Sequence, residues 1–202
     1  MRELPKTDCN NLLSSMELMS KHIHGVANEI EVDNIKKMLA DILNANCIFV
    51  MGAGRSGLVA KAFAMRLMHL GFSVYVVGES TTPAVKTNDV VVAISGSGET
   101  RSMADLGKIA KEIGSTLITV TSNRESTLGR LADTVALIPG RTKEDAGGYL
   151  ERHMRGEYSH LTPLGTSFEI TSLVFLDAVI AELISITGAS EDDLKSRHTI
   201  LE

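Results

Sequence analysis

Residues 94–100 read Ile-Ser-Gly-Ser-Gly-Glu-Thr and close the β-branched apolar run VVVAI (90–94). A turn needs one or two small or hydroxyl residues; here Ser95, Gly96, Ser97, Gly98, Glu99 and Thr100 follow in succession. Glycine lets backbone N–H groups approach a ligand closely. Serine and threonine hydroxyls donate hydrogen bonds, and a helix starting just beyond adds unpaired N–H donors and a favourable dipole. Together these groups can hold a phosphate monoester without a dedicated lysine.

A second loop, GAGRSG (52–57), has the G-x-G-x-x-G spacing between a predicted strand and a predicted helix. It adds the Ser56 hydroxyl and the Arg55 guanidinium, which would neutralise phosphate charge or sit solvated. Alone, this loop equally fits a dinucleotide, with Glu79 where a ribose-binding acid would lie. Ser97 and Thr100 are also ordinary N-cap residues, and the Glu99 carboxylate suits the dipole of its own helix's first turn. Capping explains one hydroxyl at a helix start, not hydroxyls in two loops on one side of a sheet.

The elements that must carry these loops follow from periodicity. Two helices are predicted between 8 and 45, with Asp33 capping the second. Strands are predicted at 47–51, 73–77, 90–94, 116–121 and 134–138, with helices after GAGRSG, over 101–113 and near 126–132. A long apolar helix is predicted over 166–187, and Ser190 opens a last one with an S-x-x-D capping pattern. Strands apolar along their whole length, alternating with helices, imply a parallel sheet covered on both faces. The expected architecture is one α/β domain spanning 1–202: helical extension 1–45, core 46–138, and C-terminal helices 166–202. In the flavodoxin-like order 2-1-3-4-5, strands 1 and 3 are neighbours and the order reverses between them, so both loops open onto one crevice. The polar stretch 139–161 has no clear period and is long for an idle connection.

Composition narrows the function classes. The formal net charge of −5 disfavours nonspecific nucleic-acid binding, and 4% aromatics with no Trp lack stacking platforms for single strands. Cys9 and Cys47 form no CxxC, which speaks against a metal, redox or disulfide framework; Cys47 is expected in the core. The most apolar window, ITSLVFLDAVIAELISI, is interrupted by Asp177 and Glu182, and the N-terminus lacks a signal-peptide core. A cytoplasmic protein without membrane or nucleic-acid partners is expected.

GAGRSG and SGSGET on this strand pattern resemble the sugar isomerase (SIS) domain family that binds phosphosugars. In that family the second loop's serines and threonine, with the first loop's serine, hold the sugar phosphate, a role that falls on Ser95, Ser97, Thr100 and Ser56. TPLGTSFE (162–169) and KSRHTILE (195–202) are similar to the 6-phospho-3-hexuloisomerases. The resemblance implies interconversion of 3-hexulose 6-phosphate and fructose 6-phosphate through an enediolate, with no redox cofactor or metal. It places the catalytic base at Glu169; His198 is a further catalytic candidate, as acid, proton shuttle or electrostatic aid, acting in its own or a neighbouring subunit's site. Homo-oligomers, dimer or tetramer, are implied as well.

Alternatives stay open at this level. Thr166-x-x-Glu169 is also a capping box, and Glu99 is a second candidate base. A sugar-phosphate sensor without turnover, an arabinose 5-phosphate isomerase or a nicotinamide-dependent enzyme would each use some of the same loops.

Overall fold

The structure, a computed structural model, describes residues 8–140 and 165–197. In chain order the elements are α1 (Asn10–Glu29), α2 (Val32–Asn44), β1 (Ile48–Gly52), α3 (Arg55–His69), β2 (Val74–Val76), β3 (Val90–Ile94), α4 (Arg101–Ile113), β4 (Thr116–Thr121), α5 (Thr127–Leu131) and β5 (Thr134–Leu137). Two further helices follow, α6 (Thr166–Thr187) and α7 (Glu191–Ser196).

The five strands form one parallel sheet in the order β2-β1-β3-β4-β5, as expected from the sequence. Every residue of β3 is buried, which accounts for its unbroken apolar run. Side chains alternate across the sheet with the strand's period of two. Ile48, Val50, Val90, Val92 and Ile94 join a core with α2, α3 and α6. Phe49, Met51, Val91 and Ala93 face the other way, toward Met103 and Ala110 of α4 and Leu128 of α5. The chain therefore leaves β1 toward one face through α3 and leaves β3 toward the opposite face through α4. This divergence opens a crevice above the strand ends.

Several local expectations shift. The N-cap of α2 is Glu31, not Asp33, which lies in the first turn and pairs with Lys36 at 3.1 Å. β1 starts at Ile48 and takes in Gly52, so the first loop glycine is the last strand residue. Cys47, expected in the core, is only half-buried. The Ser190 capping box forms, with Ser190 and Asp193 bonding reciprocally. The Thr166–Glu169 box does not. Gly165 is the N-cap of α6, with φ 87°, and Thr166 is a buried first-turn residue. α6 is long and apolar enough, by length and composition, to cross a membrane, even with Asp177 and Glu182 in it. Its buried side chains, among them Phe168, Leu176 and Leu183, belong to the core against the sheet. Most of the stretch 139–161 lies outside the described residues.

Candidate active site

The registers bring the two glycine loops together. β1 and β3 pair directly from Ile48 with Val90 to Gly52 with Ile94. GAGRS and SGSGET thus leave adjacent strands at the same level.

The first loop is closed on itself by its glycines. A Cβ on Gly52 would lie 2.7 Å from the Ser56 carbonyl group, and one on Gly57 2.8 Å from the Gly52 oxygen. Neither backbone atom can give way, so the turn admits no larger residue. It places Arg55 and Ser56 at the start of α3.

The second loop is stitched to the segment after β4. The Gly96 carbonyl accepts hydrogen bonds from the Ser122 N–H (2.9 Å), the Ser122 hydroxyl (2.7 Å) and the Thr121 hydroxyl (3.1 Å). The Gly98 carbonyl accepts from the Leu128 N–H at 3.1 Å. In a planar trans peptide the carbonyl and the following N–H point opposite ways. With these two carbonyls turned into the body, the N–H groups of Ser97 and Glu99 face away from it. Gly98 N–H donates to the Ser95 hydroxyl at 3.2 Å, and Glu99 N–H to the Ser97 hydroxyl at 3.2 Å. Thr100 occupies the N-cap position of α4, yet its hydroxyl makes no capping bond. Capping therefore does not account for that hydroxyl.

Glu99 is placed differently from the expectation for its carboxylate. It precedes the N-cap of α4 and does not complement that helix. Its two oxygens accept from the Thr127 N–H (2.8 Å) and hydroxyl (2.7 Å) at the start of α5. The Thr127 hydroxyl first, and then its N–H, hold the Glu99 carboxyl below the usual glutamate range. Glu79, the candidate ribose acid, pairs instead with Lys61 at 2.6 Å.

Glu169 lies in the first turn of α6, and its carboxylate accepts from Arg55 Nε. The Glu169 side chain is 14% exposed and that of Arg55 60%. Both border a recess of about 200 Å³ with apolar walls that include Leu58 and Leu173. A larger hollow of about 740 Å³, between α1, α2 and α6, includes neither glycine loop and has none of this chemistry.

The structure thus brings together Ser95 to Thr100 and Gly52 to Ser56 at neighbouring strand ends, and Glu169 with Arg55. His198 lies outside the described residues. Sequence reasoning missed Thr121, Ser122, Ser126 and Thr127, which support the second loop from below. Their signal was a third hydroxyl-rich stretch, TSNREST, at the end of another parallel strand. Among the described residues, no group of three or more His, Cys, Asp or Glu could hold a metal ion.

The SIS domain profile matches residues 41–150. The chain belongs to the SIS-domain family. An uncharacterized protein of Archaeoglobus fulgidus is 48% identical over 191 residues, covering 95% of this chain and 100% of the relative. A Bacillus subtilis protein named 3-hexulose-6-phosphate isomerase is 38% identical over 180 residues, covering 89% of this chain and 93% of that protein. Among solved structures, a Methanococcus jannaschii protein superposes with a TM-score of 0.77 at 32% identity, covering 94% of this chain and 99% of that one. Its crystal structure was described as inferring a 3-hexulose-6-phosphate isomerase function.

Proposed function

We propose that this chain is a sugar-phosphate isomerase that interconverts 3-hexulose 6-phosphate and fructose 6-phosphate. The observation that carries the reading is the Gly52–Ile94 pairing, which delivers both glycine loops to one crevice. The phosphate is held there by the Ser56, Ser95, Ser97 and Thr100 hydroxyls, by the outward N–H of Ser97 and by the Glu99 N–H once it exchanges the Ser97 hydroxyl for a phosphate oxygen. Gly96 and Gly98 let the loop approach closely.

Glu169 takes the proton from C2 of the 3-ketose; the C2–H electron pair forms the C2–C3 double bond and the C3 carbonyl π pair moves onto its oxygen, giving an enediolate. The C3 oxygen gains a proton and the C2 oxygen loses one. The carbon-bound proton is delivered to C3, leaving the carbonyl at C2. Arg55 faces the charge that develops on these oxygens. The redistribution is internal, so the proposed reaction consumes no oxidant or reductant.

His198 serves a neighbouring subunit's site in this reading. Support comes from Arg197, whose guanidinium donates to the His69 carbonyl at 3.1 Å and lies against Gly71. That is the C-terminal end of α3, roughly 20 Å along the helix from Arg55 at ~1.5 Å per residue. A homo-oligomer is consistent with the exposed apolar side chains on α1, where Leu13 and Met16 are each 60% exposed.

A second reading, a binder without turnover, is favoured by the ion pair that engages Glu169 with Arg55. Incubation with fructose 6-phosphate in deuterated water separates the two. Deuterium enters at carbon if Glu169 moves protons and does not if the chain only binds. Glu169→Gln should reduce exchange by roughly 10³-fold while inorganic phosphate still binds. Unchanged exchange in that variant rejects Glu169 as the base.

A further inference from the structure

Glu99 is an acid in a loop that, on the reading above, receives a dianion. A carboxylate beside an anion site opposes binding unless its charge is directed elsewhere. Here both oxygens are engaged by one residue across the crevice floor, the hydroxyl and N–H of Thr127. The clamp continues the contacts made by the Gly96 and Gly98 carbonyls with Thr121, Ser122 and Leu128. Every one of these bonds holds the same strip, 96–99, against the same segment, 121–128. Close packing at Gly98 adds to it: the residue has φ +67°, and a Cβ there would overlap Ser126.

We propose that Glu99 is a positioning residue, whose carboxylate clamps the phosphate-binding loop onto Thr127 and so aims the loop's N–H groups at the anion. The peptide joining Gly98 to Glu99 is held at its carbonyl by Leu128 and, one side chain further on, by Thr127. Its N–H, which donates to the Ser97 hydroxyl at 3.2 Å in the free loop, has little freedom to turn inward. A loop fixed before the ligand arrives loses less conformational entropy on binding. The role predicts an effect on affinity for the phosphate group and a much smaller one on the proton-transfer step.

The test uses the full chain, with inorganic phosphate binding by calorimetry and fructose 6-phosphate turnover as separate readouts. Glu99→Ala should raise the phosphate Kd and the KM roughly 5- to 20-fold, with kcat falling less than about threefold. Thr127→Val removes one of the two contacts and should give a smaller rise. The double variant should be no weaker than Glu99→Ala, because both changes break the same clamp. Glu99→Gln keeps one acceptor for the Thr127 N–H and should recover part of the affinity. It also stands in if the alanine variant does not fold.

Two results with the variants would overturn the assignment. One is unchanged phosphate affinity when Glu99 is replaced. The other is a loss of kcat of about 100-fold or more in Glu99→Gln with affinity intact, which is the signature of a proton-transfer group. If the unaltered chain binds no phosphate, the reading of the whole crevice fails and this assignment fails with it. If the unaltered chain binds phosphate and the variants bind it equally well, this assignment alone fails.

Discussion

Arg55 Nε donates to Glu169 Oε2, tying the first turn of α3 to the first turn of α6. The partners are 114 positions apart in sequence and sit in unequal surroundings: the carboxylate is mostly withdrawn from water, whereas the guanidinium is mostly exposed. An exposed arginine can change partners at low cost. In the proposed reaction the guanidinium would turn to the ligand's oxygens and leave Glu169 to act as a base.

Arg55→Met tests that exchange. It should lower kcat/KM by roughly 100-fold through lost stabilisation of the enediolate. Thermal stability should change by no more than about 1 kcal/mol, because the arginine is largely solvated. A large loss of melting temperature with activity retained would make the pair a structural tie instead.

Gly98→Ala should damage the second loop more than its small size suggests. The residue has φ +67°, and the added methyl would meet Ser126. We expect a stability loss of about 1–3 kcal/mol together with a raised KM. Gly25→Ala is the control: it lies inside α1 with nothing within 4 Å of the added Cβ. That change should stabilise by about 0.5–1 kcal/mol. Urea titrations of both variants decide the matter, and equal effects would contradict it.

Ser172 and Thr171 in α6 are buried, and their hydroxyls have no hydrogen-bond partner among the described residues. Replacing such a group with an apolar one removes a desolvation cost without breaking a bond. Ser172→Ala and Thr171→Val should each be neutral or stabilising by up to about 1 kcal/mol. A loss of more than that in denaturant unfolding would reveal a contact these hydroxyls make.

Asp133 gives the fold an acid-sensitive joint. Burial, the largest single influence, pushes its carboxyl up. The Lys111 hydrogen bond, the Leu117 N–H and the charges of Lys111 and Lys37 together outweigh it, leaving the group below the ordinary 3.8. A carboxyl that titrates lower when folded contributes stability fully above its unfolded value. That contribution fades as the pH falls through 3.8 toward the lower native value. Asp133→Asn should therefore flatten the melting temperature between about pH 5 and 2. An unchanged acid limb in that variant would discount the joint.

The strand pattern and the existence of two loops were legible in the sequence because parallel strands are apolar throughout and glycine clusters are local punctuation. VVVAI and TLITVT matched their strands end to end, since burial on both faces leaves one periodicity to read. Local chemistry misled where a residue type suits several neighbours. Asp33 and the Thr166–Glu169 pair look like caps, but chain packing put Glu31 and Gly165 at those positions.

What the sequence determined by itself was the kind of chemistry: hydroxyls and bare peptide groups behind two strands, suited to a phosphate ester. Only the tertiary structure decided which groups meet. The pairing of Gly52 with Ile94, the turn of Glu99 toward Thr127 and the contact of Arg55 with Glu169 all join residues distant along the chain. The physical reason is that side-chain propensities act over a few residues, whereas register and packing are set by burial of the whole sheet at once.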